Sequence, residues 1–261
     1  MRQRVIQEVM DRALPDRHDI DLEVFTSDKT VSKGGCFVQF LRLMGILPSS
    51  LHDAIANDSI KQVRKAIKRM NEGKKKDPTL INALNEEGRT AVVQATIMKK
   101  TDIVRVLLEE DAELNLPDSS NGITALMYAI IMELDNGLIM EMLDGGAHIA
   151  VADMRSVTPV MLAASKGNAR ALMLMLRRLK HWEVDAVDDN GWTALHHAAY
   201  GGSASCCKQL LAEGAEKQVK DAKGRRPLDI ARFLDHGDCL AQLEDLKARL
   251  AYETGEHFEE D

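Results

Sequence analysis

The sequence predicts an all-α fold, a solenoid of stacked helix-turn-helix units with an N-terminal helical cap. Three observations predict it. The triplets Thr90-Ala91-Val92, Thr124-Ala125-Leu126, Thr158-Pro159-Val160 and Thr193-Ala194-Leu195 recur at steps of 34, 34 and 35 positions, the spacing of a helical repeat array. Gly88, Gly122, Gly191 and Gly224 each stand two positions ahead of a Thr or Arg, as expected where a tight turn needs positive φ before a helix capped by that residue or its neighbour. Downstream, apolar residues fall at i, i+3 and i+4, as in Ile103, Val104, Leu107 and Leu108, or Leu172, Met175, Leu176 and Leu179. One unit cannot bury such a stripe alone, so its neighbours must.

The elements follow in order. Residues 1–48 read as helix, loop, helix: an amphipathic stretch from Arg4 to Ala13, a polar turn-rich stretch, then a second helix with Phe37, Phe40, Leu41 and Met44 on one side. Thr30 to Lys33 followed by Phe37 to Pro48 resembles the exit of an EF-hand and its linker. The closing acid is missing, however, and Gly34 and Gly35 stand where Glu belongs, so a relic of this kind would bind no calcium. The other reading is a helical pair shielding the first repeat's apolar face. Leu51 to Ile67 forms a worn first copy, followed by an insertion around Asn71 to Lys76. The copies opening at Gly88 and Gly122 are clear, the one at Thr158 is good in its first helix and looser afterwards, and a closing copy begins at Gly224. Paired alanines such as Ala163-Ala164 and Ala198-Ala199 are small because the next repeat's helix lies against them. Glu256, Glu259, Glu260 and Asp261 make an acidic tail over 251–261.

The fullest copy runs Asp189-Asn190-Gly191-Trp192-Thr193-Ala194-Leu195-His196-His197-Ala198-Ala199-Tyr200-Gly201-Gly202 and continues through Leu210-Leu211 to Gly214-Ala215. It resembles the ankyrin repeat, and the likeness covers roughly residues 49 to 250, giving five to six repeats with the first and last degenerate. The resemblance implies a protein-binding array whose contacts come from the turns and the exposed side of each first helix. Carried onto this chain, the turn positions include Arg89, Ile123, Arg155, Val157 and Trp192. The helix positions include Ile97 and Met98, Ile131 and Met132, Lys166, Tyr200 and Gly201. Several of these are apolar where solubility alone would ask for polar residues, which marks a candidate interface strip. His196 falls on the family histidine that ties neighbouring turns together. Asn115 stands in a leucine context of the kind that asparagine hydroxylases modify in some members.

Other chemistry is read out of the chain. His196-His197 and Cys206-Cys207 invite a zinc or thiol reading, but Cys206 and Cys207 align with the core positions Ile103 and Val104, and adjacent helical residues diverge too far to share a metal. No phosphate loop, metal helix motif or nucleophile elbow is present, and the carboxylates read as turn and solvent-face residues. No catalytic residue, metal or cofactor is therefore expected. Lys61, Arg64, Lys65, Lys68 and Arg69 share one helix, ahead of Lys74 to Lys76. They read either as a solvated face or as a grip for an acidic partner. A net charge of −7 and the lack of interleaved aromatics argue against nucleic acid. No apolar run spans a bilayer, the N-terminus lacks a secretory signal, and four cysteines form no disulfide framework. The expected protein is cytoplasmic and non-catalytic: an adaptor, scaffold or fixed subunit in a larger assembly, associated with the cytoskeleton or another complex. The alternative is a regulatory subunit or domain of an enzyme or calcium-signalling complex.

Overall fold

The computed structural model describes residues 50–71, 78–179 and 183–244. The N-terminal segment 1–48, the lysines at 74–76 and the acidic tail lie outside the described residues. Thirteen helices follow one another among the described residues: α1 (Leu51–Ala56), α2 (Ile60–Asn71), α3 (Pro78–Ile81), α4 (Ala91–Ile97), α5 (Thr101–Glu109), α6 (Ala125–Ile131), α7 (Asn136–Asp144), α8 (Pro159–Ser165), α9 (Ala169–Leu176), α10 (Ala194–Tyr200), α11 (Ala204–Ala212), α12 (Pro227–Phe233) and α13 (Gly237–Leu243). Apart from α3, which sits in the insertion, they form six consecutive pairs.

The pairs stack in two layers. First helices touch in the order α1, α4, α6, α8, α10, α12, and second helices in the order α2, α5, α7, α9, α11, α13. Each first helix starts because a side chain satisfies an otherwise orphaned donor. Thr90, Thr124, Thr158 and Thr193 accept from the backbone N–H three residues on at 3.3–3.5 Å. Ser50 does the same for α1, with Asp53 reciprocating. In α12 the cap position is Arg226, whose backbone N–H donates to the Asp229 carboxylate at 2.9 Å. The periodic residues then fill one continuous core. Ile103, Val104, Leu107, Leu172, Met175 and Leu176 are buried, whereas Leu108 and Leu179 pack against the core only in part. Ala95, Ala129, Ala163, Ala198 and Ala231 are fully buried, one in each first helix from α4 to α12.

Gly201 closes α10 for a second reason that its helix position does not reveal. A Cβ there would lie 2.2 Å from the Ser165 carbonyl oxygen at the end of α8. This is a backbone-to-backbone approach with no flexible side chain to yield. Gly201→Ala is therefore expected to destabilise the fold by about 2 kcal/mol, read as a lower urea midpoint with an unchanged m-value.

Candidate protein-interaction face

The turn ahead of each first helix is built around a carboxylate or amide. Asn85, Asp153, Asp188 and Asp221 each accept through Oδ1 from the backbone N–H groups two and four residues on, at 2.8–3.0 Å. Asp118, with one more residue in its loop, accepts from Asn121 and Ile123. The tips are then linked to one another. Ser119 N–H donates to Gly88 O, Met154 to Asn121 O, Asp189 to Arg155 O and Ala222 to Asn190 O, all at 2.9–3.1 Å. These carboxylates correct the solvent-face reading, because Asp118, Asp188 and Asp221 are buried. Their signal was an Asp or Asn five or six positions ahead of each cap residue. A short side chain that accepts two N–H bonds replaces the hydrogen bonds a strand partner would supply.

Each buried carboxylate also uses its second oxygen. Tyr128 Oη donates to Asp118 Oδ2 at 2.7 Å. Burial alone would raise the Asp118 pKa, but the N–H of Ile123, the Tyr128 hydroxyl and the N–H groups of Asn121 and Gly122 hold it below the ordinary carboxylate value. Burial and the same carboxylate push Tyr128 up to about 12. Burial likewise works against ionised Asp221, yet the Arg225 guanidinium, backbone N–H groups and the Trp192 indole keep it well below its usual range.

His196 ties two repeats together, as the resemblance implied. The Thr193 N–H donates to its Nδ1 at 3.1 Å, so that nitrogen carries a lone pair. The proton therefore sits on Nε2 and is donated to the Arg225 carbonyl at 3.1 Å. Burial lowers the pKa of His196 and also that of His197, despite the Asp188 carboxylate 3.2 Å from His197 Nε2. Cys206 and Cys207 are buried in α11, where burial pushes both thiols up. Among the described residues no group of His, Cys, Asp and Glu could hold a metal ion.

The predicted contact residues fall into three groups. Arg155, Lys166, Met98 and Tyr200 are exposed, Arg155 with 78% of its side chain and Tyr200 at 53%. Arg89, Ile123, Met132, Ile97 and Ile131 are half-buried, with Arg89 ion-paired to Glu87. Val157 is largely buried, 7% exposed, and lines the groove that opens around Trp192 from its inner side, where its short side chain reaches less far than the longer ones in the same row. Trp192 is also half-buried. Its indole N–H donates to Asp221 Oδ2 at 3.0 Å, and its ring lies 5.2 Å from His197, 5.4 Å from Tyr200 and 5.8 Å from the Arg225 guanidinium. Around it opens a groove of about 370 Å³ walled by Arg155, Leu162, Tyr200, Lys223 and Arg225. Sequence reasoning missed Phe233, which stands seven residues past its cap as Tyr200 does and is 86% exposed. On α2, Lys61, Arg64, Lys65, Lys68 and Arg69 are exposed, with Arg64 paired to Glu109 at 2.9 Å. Asn115 spans to the next repeat, donating to Gly146 O and accepting from His148 N–H.

Comparison with known proteins gives one consistent result. The family model described as "Ankyrin repeats (3 copies)" matches residues 51–153, 134–221 and 160–249. A transient receptor potential cation channel subfamily A member 1 homolog of Caenorhabditis elegans is 31% identical over 60% of this chain and 13% of its own length. Ankyrin repeat protein nuc-2 of Neurospora crassa is 27% identical over 67% of this chain and 16% of its own. The match thus spans only 13–16% of these relatives. Solved structures are matched over nearly their own full length. An ankyrin repeat domain from Acinetobacter baumannii has a TM-score of 0.63 and 27% identity, covering 74% of this chain and 95% of that one. A chain from the complex of a predatory endopeptidase of Bdellovibrio bacteriovorus with an immunity protein has a TM-score of 0.62 and 26% identity, covering 75% and 96%. No helix among the described residues is long and apolar enough to cross a membrane.

Two pH windows follow from the buried groups. A histidine whose folded pKa lies below its unfolded value binds its proton more readily unfolded, so stability is complete above the unfolded value and falls as pH drops through it. His196 and His197 place that loss below about pH 6.5. Asp118 and Asp221, depressed in the fold, add stability that is present above about pH 4 and lost as pH falls through their folded values. The melting temperature is expected to drop between about pH 7.5 and 5.5, and His196→Gln, though less stable throughout, should show a smaller drop over that interval. An equal drop in the variant would remove His196 as a source.

Proposed function

The chain belongs to the ankyrin-repeat family, and from that membership we propose a non-catalytic protein-interaction module that holds a protein partner on the face formed by its turn tips and first helices. Ankyrin repeats are in general protein-interaction modules, and their fold is typically non-catalytic. The role proposed beyond that is an adaptor, scaffold or structural subunit of a larger assembly, working in the cytoplasm. The observation that carries it is the exposed apolar and aromatic surface at the ends of the first helices, with Tyr200 and Phe233 at the same position and Met98 one residue further on. Met98, Tyr200 and Phe233 stand open on α4, α10 and α12 or directly after them, although the core needs none of them exposed. Arg89, Ile123, Met132, Arg155, Lys166 and Trp192 complete the proposed surface. The cations of α2 offer an acidic partner a second contact.

A second reading makes the chain a regulatory subunit or domain of an enzyme. The similarity to a chain from an endopeptidase–immunity protein complex favours it over a calcium-linked role. Both readings place a protein on the same face.

Tyr200 tests this better than Trp192, because Trp192 also holds Asp221 and its loss would disturb the last repeat. Affinity capture on the full chain with mass spectrometry would supply the partner, followed by matched melts and titrations. Tyr200→Ala is expected to keep the melting temperature and to weaken the partner roughly tenfold or more. Wild-type affinity in a Tyr200→Ala, Met98→Ala double variant would place the partner elsewhere.

A further inference from the structure

The groove beside Trp192 has an uneven distribution of charge. Two carboxylates line it, Asp188 and Asp221, and both face inward with 1% of their side chains exposed. Their oxygens are occupied by the tip N–H groups, His197, Trp192 and Arg225. The cations face outward. Arg155 and Lys223 hold the same place on their tips, two residues past Asp153 and Asp221, and bracket the intervening Asn190. Among the described residues Arg155 pairs only with its own Asp153, 4.0 Å away, and no acid pairs with Lys223. Arg225 spends its charge on Asp221. The exposed acid nearest in sequence, Asp189, accepts from the Ser156 hydroxyl at 2.6 Å. An incoming chain therefore meets two available cations on the rims and an aromatic floor of Trp192 and Tyr200 between them, with Phe233 one repeat further along.

We propose that this groove takes an acidic segment of a partner protein, in which a bulky apolar side chain lies on Trp192 and Tyr200 while carboxylates on either side meet Arg155 and Lys223. Charge selects this occupant. A basic segment would face two cations, with the one carboxylate exposed beside them, Asp189, outside the groove lining and bound to Ser156, and a purely apolar one would leave both rims unanswered. The volume of about 370 Å³ suits one large side chain with its flanking backbone. This inference rests on the interaction-face reading above and adds the chemistry of the partner to it.

The test uses the full chain and synthetic peptides. Fluorescein-labelled Gly-Glu-Glu-Leu-Phe-Glu-Glu-Gly is titrated by anisotropy beside a version with Lys for Glu, a version with Gly-Gly for Leu-Phe, and a version carrying phosphoserines in place of the glutamates. The acidic peptide is expected to bind, to weaken with salt, and to lose roughly tenfold in affinity with the double variant Arg155→Glu, Lys223→Glu and with Tyr200→Ala. Both rim side chains are exposed, and circular dichroism melts confirm that the variants fold. Equal binding of the Lys peptide, no measurable binding of the acidic peptide, or an unchanged affinity in the double variant overturns the proposal. Binding of the phosphoserine peptide alone would assign the groove to a phosphopeptide and overturn it as well. The captured partner separates the two levels of inference. If Tyr200→Ala weakens it but rim reversal does not, the face stands and the acidic chemistry falls. If neither variant weakens it, both fall.

Discussion

The seven-residue first helices depend wholly on their neighbours. A helix of about two turns does not hold in water by itself, since nucleation costs more than so few hydrogen bonds return. Each of α4, α6, α8, α10 and α12 therefore exists only against its neighbouring helices, and the fully buried alanines at 95, 129, 163, 198 and 231 are what allow those helices to lie close. A larger side chain in that row would push successive repeats apart. That spacing in turn brings the tips within hydrogen-bonding distance of each other, from Gly88 and Ser119 through to Asn190 and Ala222. The proposed interaction face follows from core packing: the alanine row sets the distance between repeats, and the tips and helix ends are displayed at that interval.

The period, the caps and the core stripe were legible because each is a local rule repeated several times. Thr90, Thr124, Thr158 and Thr193 name the helix starts, and Ile103, Val104 and Leu107 name the buried side without reference to other repeats. Cys206 and Cys207 were legible as core by alignment alone. What escaped was what one repeat does to the next. Val157, Ile123 and Trp192 share a register position, yet one is buried and two are half-covered, because exposure there depends on side-chain length against the adjoining row. Ser156 adopts φ of +62° where other tips place glycine. The tip survives the substitution because Asp153 and the tip-to-tip bonds fix the loop. Buried turn carboxylates look like solvated ones in sequence, since what distinguishes them is the ring of N–H donors that folding assembles.

The two halves of the face differ in how tightly they are bound to the fold. Towards the N-terminal side, Arg89 is answered by Glu87, and Met98 follows directly after a helix whose core is already complete without it. Met98 there can meet a partner without altering repeat contacts, whereas Arg89 also interacts with Tyr128 of the next repeat. Towards the C-terminal side the same atoms serve both purposes. Trp192 lines the groove and holds Asp221 in the next tip, while His196, next to it, donates to the Arg225 carbonyl of that tip.

That double use couples binding to stability in the last repeats. α12 and α13 have a neighbour on only one side among the described residues, and an end repeat of a solenoid has the fewest interfaces to hold it. Anything that settles over Trp192 and bridges the tips bearing Arg155 and Lys223 touches three successive repeats, so it stabilises the end of the array by whatever affinity it has for the folded form over the frayed one. The reverse holds too: a change that loosens α12 weakens the groove without touching its lining, because the tip that carries Lys223 is positioned by Asp221.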